Sequence, residues 1–401
     1  MQHFAVVQSL CRLGLACGDK AFRQQVERLR DRLAKDGEKA DAETLTRLLN
    51  SPSSTAELAP TRVELSRFHV VGEPLTPQVH PPVDRETSQP LCRIVINPAV
   101  RGLKPVLSEL GQKAISDLVA EWNTFERLRD LGIAPSRSCL IFGPPGTGKT
   151  LCAHFIAAQL GLPVLDARID GLISSYLGTT ARNIANLFAF ANRYRCVLLL
   201  DEFDAIAKLR DDPQEVGEIK RVVNSLLQSL DERADVGITI AITNHHRLLD
   251  TAVWRRFETQ LQVDLPDRER RLEMLSLFMK PLPASQPLLR IMAYVSDGRS
   301  GADLRRMANA LKRQIALSGR DASPTSQFQA LCEVLAREPS SRLHPRATAL
   351  IENLENFVVA ALRDPAFDVK QRPLASLIAV NQGTVSRWTY RALTDGGNLA
   401  Q

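Results

Sequence analysis

The most informative stretch of the chain is Gly143-Pro144-Pro145-Gly146-Thr147-Gly148-Lys149-Thr150. It fits the phosphate-binding pattern G-x-x-x-x-G-K-[ST] in full. The apolar run at residues 139–142 is typical of a buried strand, and the run at 151–157 is typical of a helix. Glycines let successive backbone N–H groups close around phosphates, and the helix adds the positive end of its dipole. The pattern assigns Lys149 to the β- and γ-phosphates and the Thr150 hydroxyl to Mg²⁺. A purely structural glycine-rich turn is the alternative.

The composition is that of an ordinary globular protein, with 401 residues, 44% apolar and 24% charged. No run approaches the roughly 18 consecutive apolar residues of a membrane span. Residues 1–19 lack the basic start of a signal peptide, and we expect a helix there. The seven cysteines form no C-x-x-C pair, which argues against a zinc knuckle and suits a reducing cytoplasm. The net charge of +6 is compatible with nucleic-acid contact without being evidence for it.

Changes in pattern divide the chain into five parts. We expect a helical N-terminal module (1–50), a proline-rich linker (51–90), a large α/β domain (91–266), a small helical domain (267–320) and a helical tail (321–401). Strands are predicted at 139–142, 163–167, 196–201, 237–243 and 259–263, with helices between them. This alternation indicates a parallel sheet covered on both faces. The stretch 63–71 is compatible with a further short strand.

Two of these strands end in polar residues suited to nucleotide chemistry. The run 197–200 delivers Asp201 and Glu202 to the carboxyl edge of the sheet, where open α/β sheets bind ligands. Asp201 would hold Mg²⁺ through water, and Glu202 would polarise the attacking water as general base. A solvated pair of carboxylates is the alternative. The run 240–243 ends in Asn244, whose amide would orient the water or contact the γ-phosphate, or would simply cap the next helix.

Together these motifs resemble the AAA clade of AAA+ ATPases over about residues 100–315. The resemblance implies an ATP- and Mg²⁺-dependent hydrolase with a P-loop AAA+ parallel-sheet core and a small helical lid. It implies that Asn244 is sensor 1, and that Arg255 and Arg256 are arginine fingers acting on the neighbouring subunit's site. A pair of solvated arginines is the alternative. The resemblance also places Gly301 and Ala302 in the sensor 2 region, where this clade has no arginine and the backbone approaches the nucleotide. Fingers that act between subunits imply a homo-oligomeric ring, most often a hexamer.

The segment Tyr176-Leu177-Gly178 resembles pore loop 1 of AAA unfoldases and remodellers, in which rings of aromatic side chains grip a polypeptide. An exposed aromatic contacts any side chain without demanding a sequence. The resemblance therefore implies remodelling, unfolding or disassembly of a protein through a central pore. Thr179 departs from the pattern, which carries Glu after the glycine. Local packing of Tyr176 is the alternative, and residues 210–218 fit a second, polar pore loop.

The tail resembles a helix-turn-helix over residues 373–388. Ala375 suits the tight crossing of the two helices, and the predicted core is Ile378, Val380, Val385 and Trp388. The outward side chains, suited to a DNA major groove, are Gln382, Ser386 and Arg387. Ala379 occupies the turn position where many such motifs carry glycine. A second hypothesis is therefore a DNA-associated AAA+ regulator or loader, and a helical bundle that packs on protein is the third reading.

The N-terminal helices and the linker resemble the layout by which remodelling AAA ATPases hold a substrate- or adaptor-binding module. The arrangement also resembles bacterial AAA ATPases encoded beside subtilisin-like peptidases. No Ser-His-Asp set is visible in the sequence, so a protease would be a separate chain. We expect no membrane contact.

Overall fold

The computed structural model describes residues 20–35, 38–50, 72–97, 104–169, 177–205, 216–233, 236–319, 321–339, 341 and 343–397. The chain divides into two compact units, Met1–Arg67 and Phe68–Gln401. In the first unit, helices α1 (Lys20–Lys35) and α2 (Lys39–Asn50) pack through a small apolar core. That core consists of Val26, Leu33, Ala42, Leu45 and Leu49. The helical prediction is thus confirmed for these two segments.

The second unit contains a six-stranded sheet. Its strands, with the short pair β1 and β5, are β1 (Glu73–Pro74), β2 (Arg93–Val95), β3 (Ser138–Phe142), β4 (Val164–Arg168), β5 (Tyr194–Arg195), β6 (Val197–Asp201), β7 (Thr239–Thr243) and β8 (Thr259–Gln262). The order is β2-β4-β6-β7-β3-β8, parallel except for the edge pair β2–β4. The α/β class with a parallel sheet is confirmed, and the five predicted strands differ in their bounds by one or two residues.

Both faces of the sheet are buried, which explains why the central strands read as continuous apolar runs. The helices of this part are α3 (Glu109–Asn123), α4 (Phe125–Asp130), α5 (Lys149–Leu160), α6 (Leu177–Arg193), α7 (Val216–Asp231) and α8 (Thr251–Trp254). Leu198 and Leu200 face the apolar layer that α6 and α7 cover. Val197 and Leu199 face the opposite layer, under α3 and α5. The alternation follows from the two-residue period of a strand.

The helices after the sheet share one apolar core. They are α9 (Arg268–Met279), α10 (Gln286–Val295), α11 (Gly301–Ser318), α12 (Pro324–Ala336), α13 (Pro345–Glu352), α14 (Leu354–Arg363), α15 (Gln371–Leu377) and α16 (Gln382–Gly397). The core runs without interruption from Met274 in α9 to Val385 in α16. Tyr294 in α10, for example, meets Phe357 and Phe367 edge to face. The predicted small helical domain and helical tail therefore bury their apolar faces against each other.

The structure differs from the expected linker over residues 51–90 from Gly72 onward. Here β1 pairs in parallel with β5, and Leu75 and Leu91 are buried in the sheet's apolar layer. Val83 and Pro90 bridge a short hairpin. The prolines prevent a helix, but they are compatible with extended chain at the edge of a packed domain. This part of the expected linker is packed against the α/β domain.

Several predictions fall outside the described residues. These are the helix over 1–19, the possible strand over 63–71, Tyr176, and most of the second pore-loop stretch. Within the part of the chain that the structure describes, no helix is long and apolar enough to cross a membrane.

Candidate functional site

The predicted phosphate loop connects β3 to α5, as the sequence pattern requires. Gly143, Gly146 and Gly148 all have positive φ. A Cβ at Gly143 would lie 2.1 Å from the Val263 carbonyl oxygen, and one at Gly146 would lie 2.6 Å from Ser300 Oγ. The loop is therefore shaped by close approach of its own backbone to neighbouring segments as well as by its left-handed turns.

Lys149 points into this loop and is almost fully buried. Its ammonium donates to the carbonyl oxygens of Gly143 at 2.9 Å and Pro144 at 2.7 Å. The Thr147 hydroxyl also donates to the Pro144 carbonyl, at 2.9 Å. Burial lowers the pKa of Lys149, and the nearby Asp201 carboxylate opposes that shift. A buried ammonium that donates to carbonyl oxygens attracts a phosphate anion strongly, because a phosphate would add the negative charge that carbonyl groups lack.

The predicted carboxylates lie directly across from the loop, at the end of β6. The Thr150 hydroxyl donates to Asp201 Oδ2 at 3.3 Å, so the two predicted Mg²⁺ ligands are adjacent. Asp201 Oδ1 accepts the backbone N–H of Glu202 at 2.8 Å. Glu202 has a φ of 56°, uncommon for a residue other than glycine. Arg168, at the end of the neighbouring β4, places Nη2 3.1 Å from Glu202 Oε2.

Asn244 follows β7, which lies between β6 and β3 in the sheet. Because the carboxyl ends of parallel strands meet at one edge, Asn244 lines the same cavity as Lys149, Asp201 and Glu202. The preceding residue, Thr243, is buried and accepts the N–H of His245 at 3.0 Å. This hydrogen bond fixes the backbone direction after β7, and so fixes the position of the Asn244 side-chain amide.

The lid contacts the phosphate loop through its own backbone. The Ala302 N–H donates to the Gly146 carbonyl at 3.0 Å. Ser300 caps α11 in a capping box with Asp303. Gly301 and Ala302 both line the cavity, so the first turn of α11 closes it from the lid side. The structure thus places this backbone on the cavity wall, and its approach to a bound nucleotide stays a prediction.

Sequence reasoning missed three further cations on the wall of this cavity, Arg93, Lys104 and Arg305. The Arg305 guanidinium stacks over the Phe278 ring at 4.8 Å. Arg305 lies four residues after Gly301, so helical spacing alone would have placed it on the same face of α11. Arg93 and Lys104 reach the cavity through the path of the chain, which leaves no local signal.

The cavity fits a nucleoside triphosphate with its cation. Its volume is about 800 Å³, within the range of roughly 300–1,000 Å³ common for ligand pockets. The buried Lys149 ammonium faces phosphate-binding backbone, and the Thr150–Asp201 pair offers the oxygen ligands that Mg²⁺ prefers. Mg²⁺ usually retains several waters and completes its shell with substrate phosphates, so two protein oxygens suffice.

The two predicted finger arginines lie together after α8 but differ in their surroundings. Arg255 is exposed. Arg256 is half-buried, with its Nε 3.3 Å from Asp231 and its Nη1 donating to the Ala252 carbonyl. Neither belongs to the described residues that line the cavity of the same chain. Asp250 caps α8 by accepting the Val253 N–H at 2.8 Å, which sets where this short helix begins.

Those predicted pore-loop and DNA residues that the structure describes are not among the residues that line the cavity. Tyr176 is outside the described residues, and Leu177 and Gly178 form the start of α6. Gln382, Ser386 and Arg387 are exposed on α16.

Comparisons with known proteins agree with this site. Residues 139–265 match the family model described as ATPase family associated with various cellular activities (AAA). An uncharacterized AAA family ATPase, y4kL, of Sinorhizobium fredii is 36% identical over 299 residues, which are 74% of this chain and 85% of that protein.

More distant relatives carry names linked to protein breakdown. The proteasome-activating nucleotidase of Methanoculleus marisnigri is 32% identical, over 59% of this chain and 58% of that protein. The ATP-dependent zinc metalloprotease FtsH 3 of Sphaerobacter thermophilus is 30% identical, over 58% of this chain and 49% of that protein. The chain thus spans about half the length of these two relatives but most of y4kL. By its fold, its motifs and these similarities, the chain belongs to the AAA family of ATPases.

Proposed function

We propose that this ATPase forms a homo-oligomeric ring, with six subunits as the expected number, that hydrolyses ATP to remodel, unfold or disassemble a protein drawn through its central pore. The observation that carries the proposal is the position of Arg255, which is exposed and lies outside the described lining of its own cavity. This position suits a finger that acts on the cavity of a neighbouring subunit.

The described residues have separate tasks in the reaction. Lys149 would bind the β- and γ-phosphates, and Thr150 with Asp201 would hold Mg²⁺, which supplies neutralisation of phosphate charge. Glu202 would accept the proton of the attacking water, and Asn244 would orient that water. The lid backbone at Gly301 and Ala302 would close over the nucleotide and exclude bulk water.

Mixing two inactive variants tests the shared site. Arg255→Ala lacks the finger that its neighbour needs, and Glu202→Gln lacks its own base. Each alone should lose at least about 100-fold in turnover. In equimolar mixed rings about one quarter of the sites combine an intact base with an intact finger, so activity should return to that level.

Failure to recover, in rings that contain both variants because they were purified through an affinity tag on one of them, would contradict a finger acting between subunits. Arg256→Ala serves as the matched control. Because Asp231 and Ala252 already hold Arg256 within its own chain, we expect a smaller loss of turnover from that variant.

The pore assignment is tested with an unstructured polypeptide, β-casein, and the Tyr176→Ala variant. Casein should stimulate ATP turnover of the wild-type ring but not that of Tyr176→Ala, because the aromatic grip is lost. Stimulation retained by the variant would remove the pore-loop assignment. We also propose that the N-terminal helices hold a substrate or adaptor, that any protease is a separate chain, and that the protein is cytoplasmic.

One observation favours DNA as a second candidate partner. Helices α15 and α16 are joined by a tight turn in which Ala379 adopts a φ of 57°, the left-handed conformation of the turn glycine in such motifs. Val380 N–H bonds the Ala375 carbonyl, and Asn381 Oδ1 accepts the Gly383 N–H, which ends one helix and begins the next.

The chemistry of the exposed face of α16 is compatible with a duplex. Between residues 370 and 394 the sequence contains Lys370, Arg372, Arg387 and Arg391 and no Asp or Glu. The net positive charge of residues 370–394 is therefore larger than that of the whole tail, in which basic and acidic residues nearly balance. Gln382, Ser386 and Arg387 would face base edges, and Lys370 and Arg372 would contact phosphates.

The DNA hypothesis is tested on the full chain. The apolar core that the lid helices share extends as far as Val385, so removal of the tail would expose that core. A duplex shift assay across a salt series should show binding by the wild type that weakens as salt rises. Arg387→Ala should weaken it further, and Arg363→Ala, an exposed arginine on α14, is the control. Equal binding by both variants would reject this face as the contact.

A further inference from the structure

The segment Gly72–Asn97, which we call the strap, lies against helix α6 and contacts both of its ends. At the end of the helix, Arg193 Nε lies 3.1 Å from both carboxylate oxygens of Glu73. At its beginning, the Thr179 hydroxyl donates to Glu86 Oε1 at 2.8 Å. The helix has 17 residues and so spans about 25 Å. The strap therefore contacts α6 at two points separated by almost the full length of the helix.

The strap is fastened to the beginning of α6 by a buried carboxylate. Asp84 Oδ2 accepts the Asn183 side-chain amide at 2.8 Å, and both side chains are buried. Asp84 Oδ1 accepts the backbone N–H groups of Glu86 and Thr87 at 2.7 and 3.2 Å. These bonds, the Asn183 amide first, lower the pKa of Asp84, which is ionised at neutral pH. One carboxylate thus folds the hairpin and docks it on the helix.

Glu86 adds a second contact between the strap and α6, at the helix end where a negative charge is favourable. Thr179 is the third residue of α6 and is buried, so the Glu86 carboxylate lies near the positive end of the helix dipole. Thr179 is also the residue that departs from the resembled pore-loop pattern, which carries an acid there. The structure thus contains a carboxylate at this point, but the strap supplies it.

We propose that Asp84 and Glu86 are positioning residues for the predicted gripping segment: by fixing the first turns of α6, they fix the backbone of Leu177 and Gly178, with which that helix begins. This inference rests on the proposed pore function. It assigns to the strap a task in coupling ATP turnover to substrate, in addition to its packing on the α/β domain. The carboxylate is what the task requires, wherever in the sequence it is supplied.

The experiment compares four full-length proteins: wild type, Glu86→Gln, the double variant Glu86→Gln with Thr179→Glu, and the control Arg85→Gln. Arg85 is the exposed neighbour on the same hairpin, and its change also replaces a charge by an amide. Two readouts are taken on each. Hydrogen exchange follows the amides at the start of α6, and the ratio of casein-stimulated to basal ATP turnover reports coupling.

We expect Glu86→Gln to speed exchange at residues 179–184 by about fivefold, as the loss of one charge-assisted hydrogen bond predicts. Its stimulation ratio should fall toward one. The double variant returns a carboxylate to the first turn of α6 and should restore both readouts, while Arg85→Gln should match the wild type.

Exchange and stimulation in Glu86→Gln that equal those of Arg85→Gln would overturn the proposal. Failure of the double variant to restore either readout would also overturn it, because the carboxylate would then not be the operative group. The Tyr176→Ala variant separates the two proposals. If it retains stimulation, the pore function fails, and the exchange readout alone decides whether Glu86 fixes the first turn of α6.

Discussion

Replacement of Arg168 by methionine tests whether the ion pair with Glu202 restrains the general base. The Arg168 guanidinium lies 3.1 Å from the Glu202 carboxylate, and the two side chains are 62% and 45% exposed. A carboxylate held in an ion pair must leave its partner before it can accept the proton of the attacking water, and opening the pair costs free energy. We therefore expect Arg168→Met to raise kcat.

The exposure of the pair sets the size of the effect. Exposed ion pairs contribute about 0.2–1 kcal/mol, so releasing Glu202 can raise the rate by at most about fivefold. KM for ATP should stay within about twofold, because Arg168 is not among the described residues that line the cavity. A gain of this size in kcat alone would indicate a restraint that the enzyme must break in each cycle.

The assay is steady-state phosphate release at saturating ATP, with ring assembly checked by light scattering. Arg363→Met, an exposed arginine on α14, is the matched control and should leave kcat unchanged. A tenfold or larger fall in kcat for Arg168→Met would refute the reasoning, since Arg168 would then assist the reaction. A large rise in KM would refute it differently, by showing that Arg168 contacts the nucleotide.

Three further predictions follow from the described contacts. Gly146→Ala should weaken ATP binding by about tenfold, because a left-handed alanine is strained and its Cβ would approach Ser300 Oγ within 2.6 Å; fluorescent-nucleotide titration measures this, and an unchanged Kd contradicts it. Burial raises the pKa of Cys139 and Cys152 to about 12. Between about pH 9 and pH 12 these thiols therefore ionise in the unfolded chain but not in the folded one. Ionisation of each thiol should lower the free energy of unfolding by about 1.4 kcal/mol at pH 10. Urea unfolding at pH 7 and 10 tests this, and a double Cys→Ala variant with the same alkaline loss would contradict it. Asp250→Ala should lower that free energy by about 1 kcal/mol through loss of the α8 cap, and should lower kcat if α8 positions Arg255; an unchanged kcat would separate the cap from the finger.

The sheet could be predicted because its signal is local. The central strands are buried on both faces, so runs such as residues 197–200 are apolar at every position. Two of the runs, 197–200 and 240–243, are followed by polar residues at the ligand-binding edge. The strap could not be predicted in the same way. Leu75 and Leu91 are buried by contact with distant segments, they follow neither helical nor strand spacing, and prolines surround them.

In the candidate site, too, local signals could be predicted and long-range contacts could not. Lys149, Asp201 and Asn244 lie at or after the carboxyl ends of strands, so the topology of a parallel sheet alone brings them together. Arg93 reaches the cavity from an antiparallel edge strand, and Arg168 reaches Glu202 only because β4 and β6 are paired in register at Arg168 and Asp201. Such contacts depend on strand order, which the sequence pattern left open.

These missed contacts involve two different parts of the fold. Arg168, the last residue of β4, contacts Glu202, the predicted general base, at the edge of the cavity. Thr179, in the first turn of α6, contacts Glu86 in the strap. Because only the first contact involves a predicted reaction group, we expect Arg168→Met to change basal ATP turnover and Glu86→Gln to change the response of turnover to casein. A matching change of both readouts in both variants would contradict this separation.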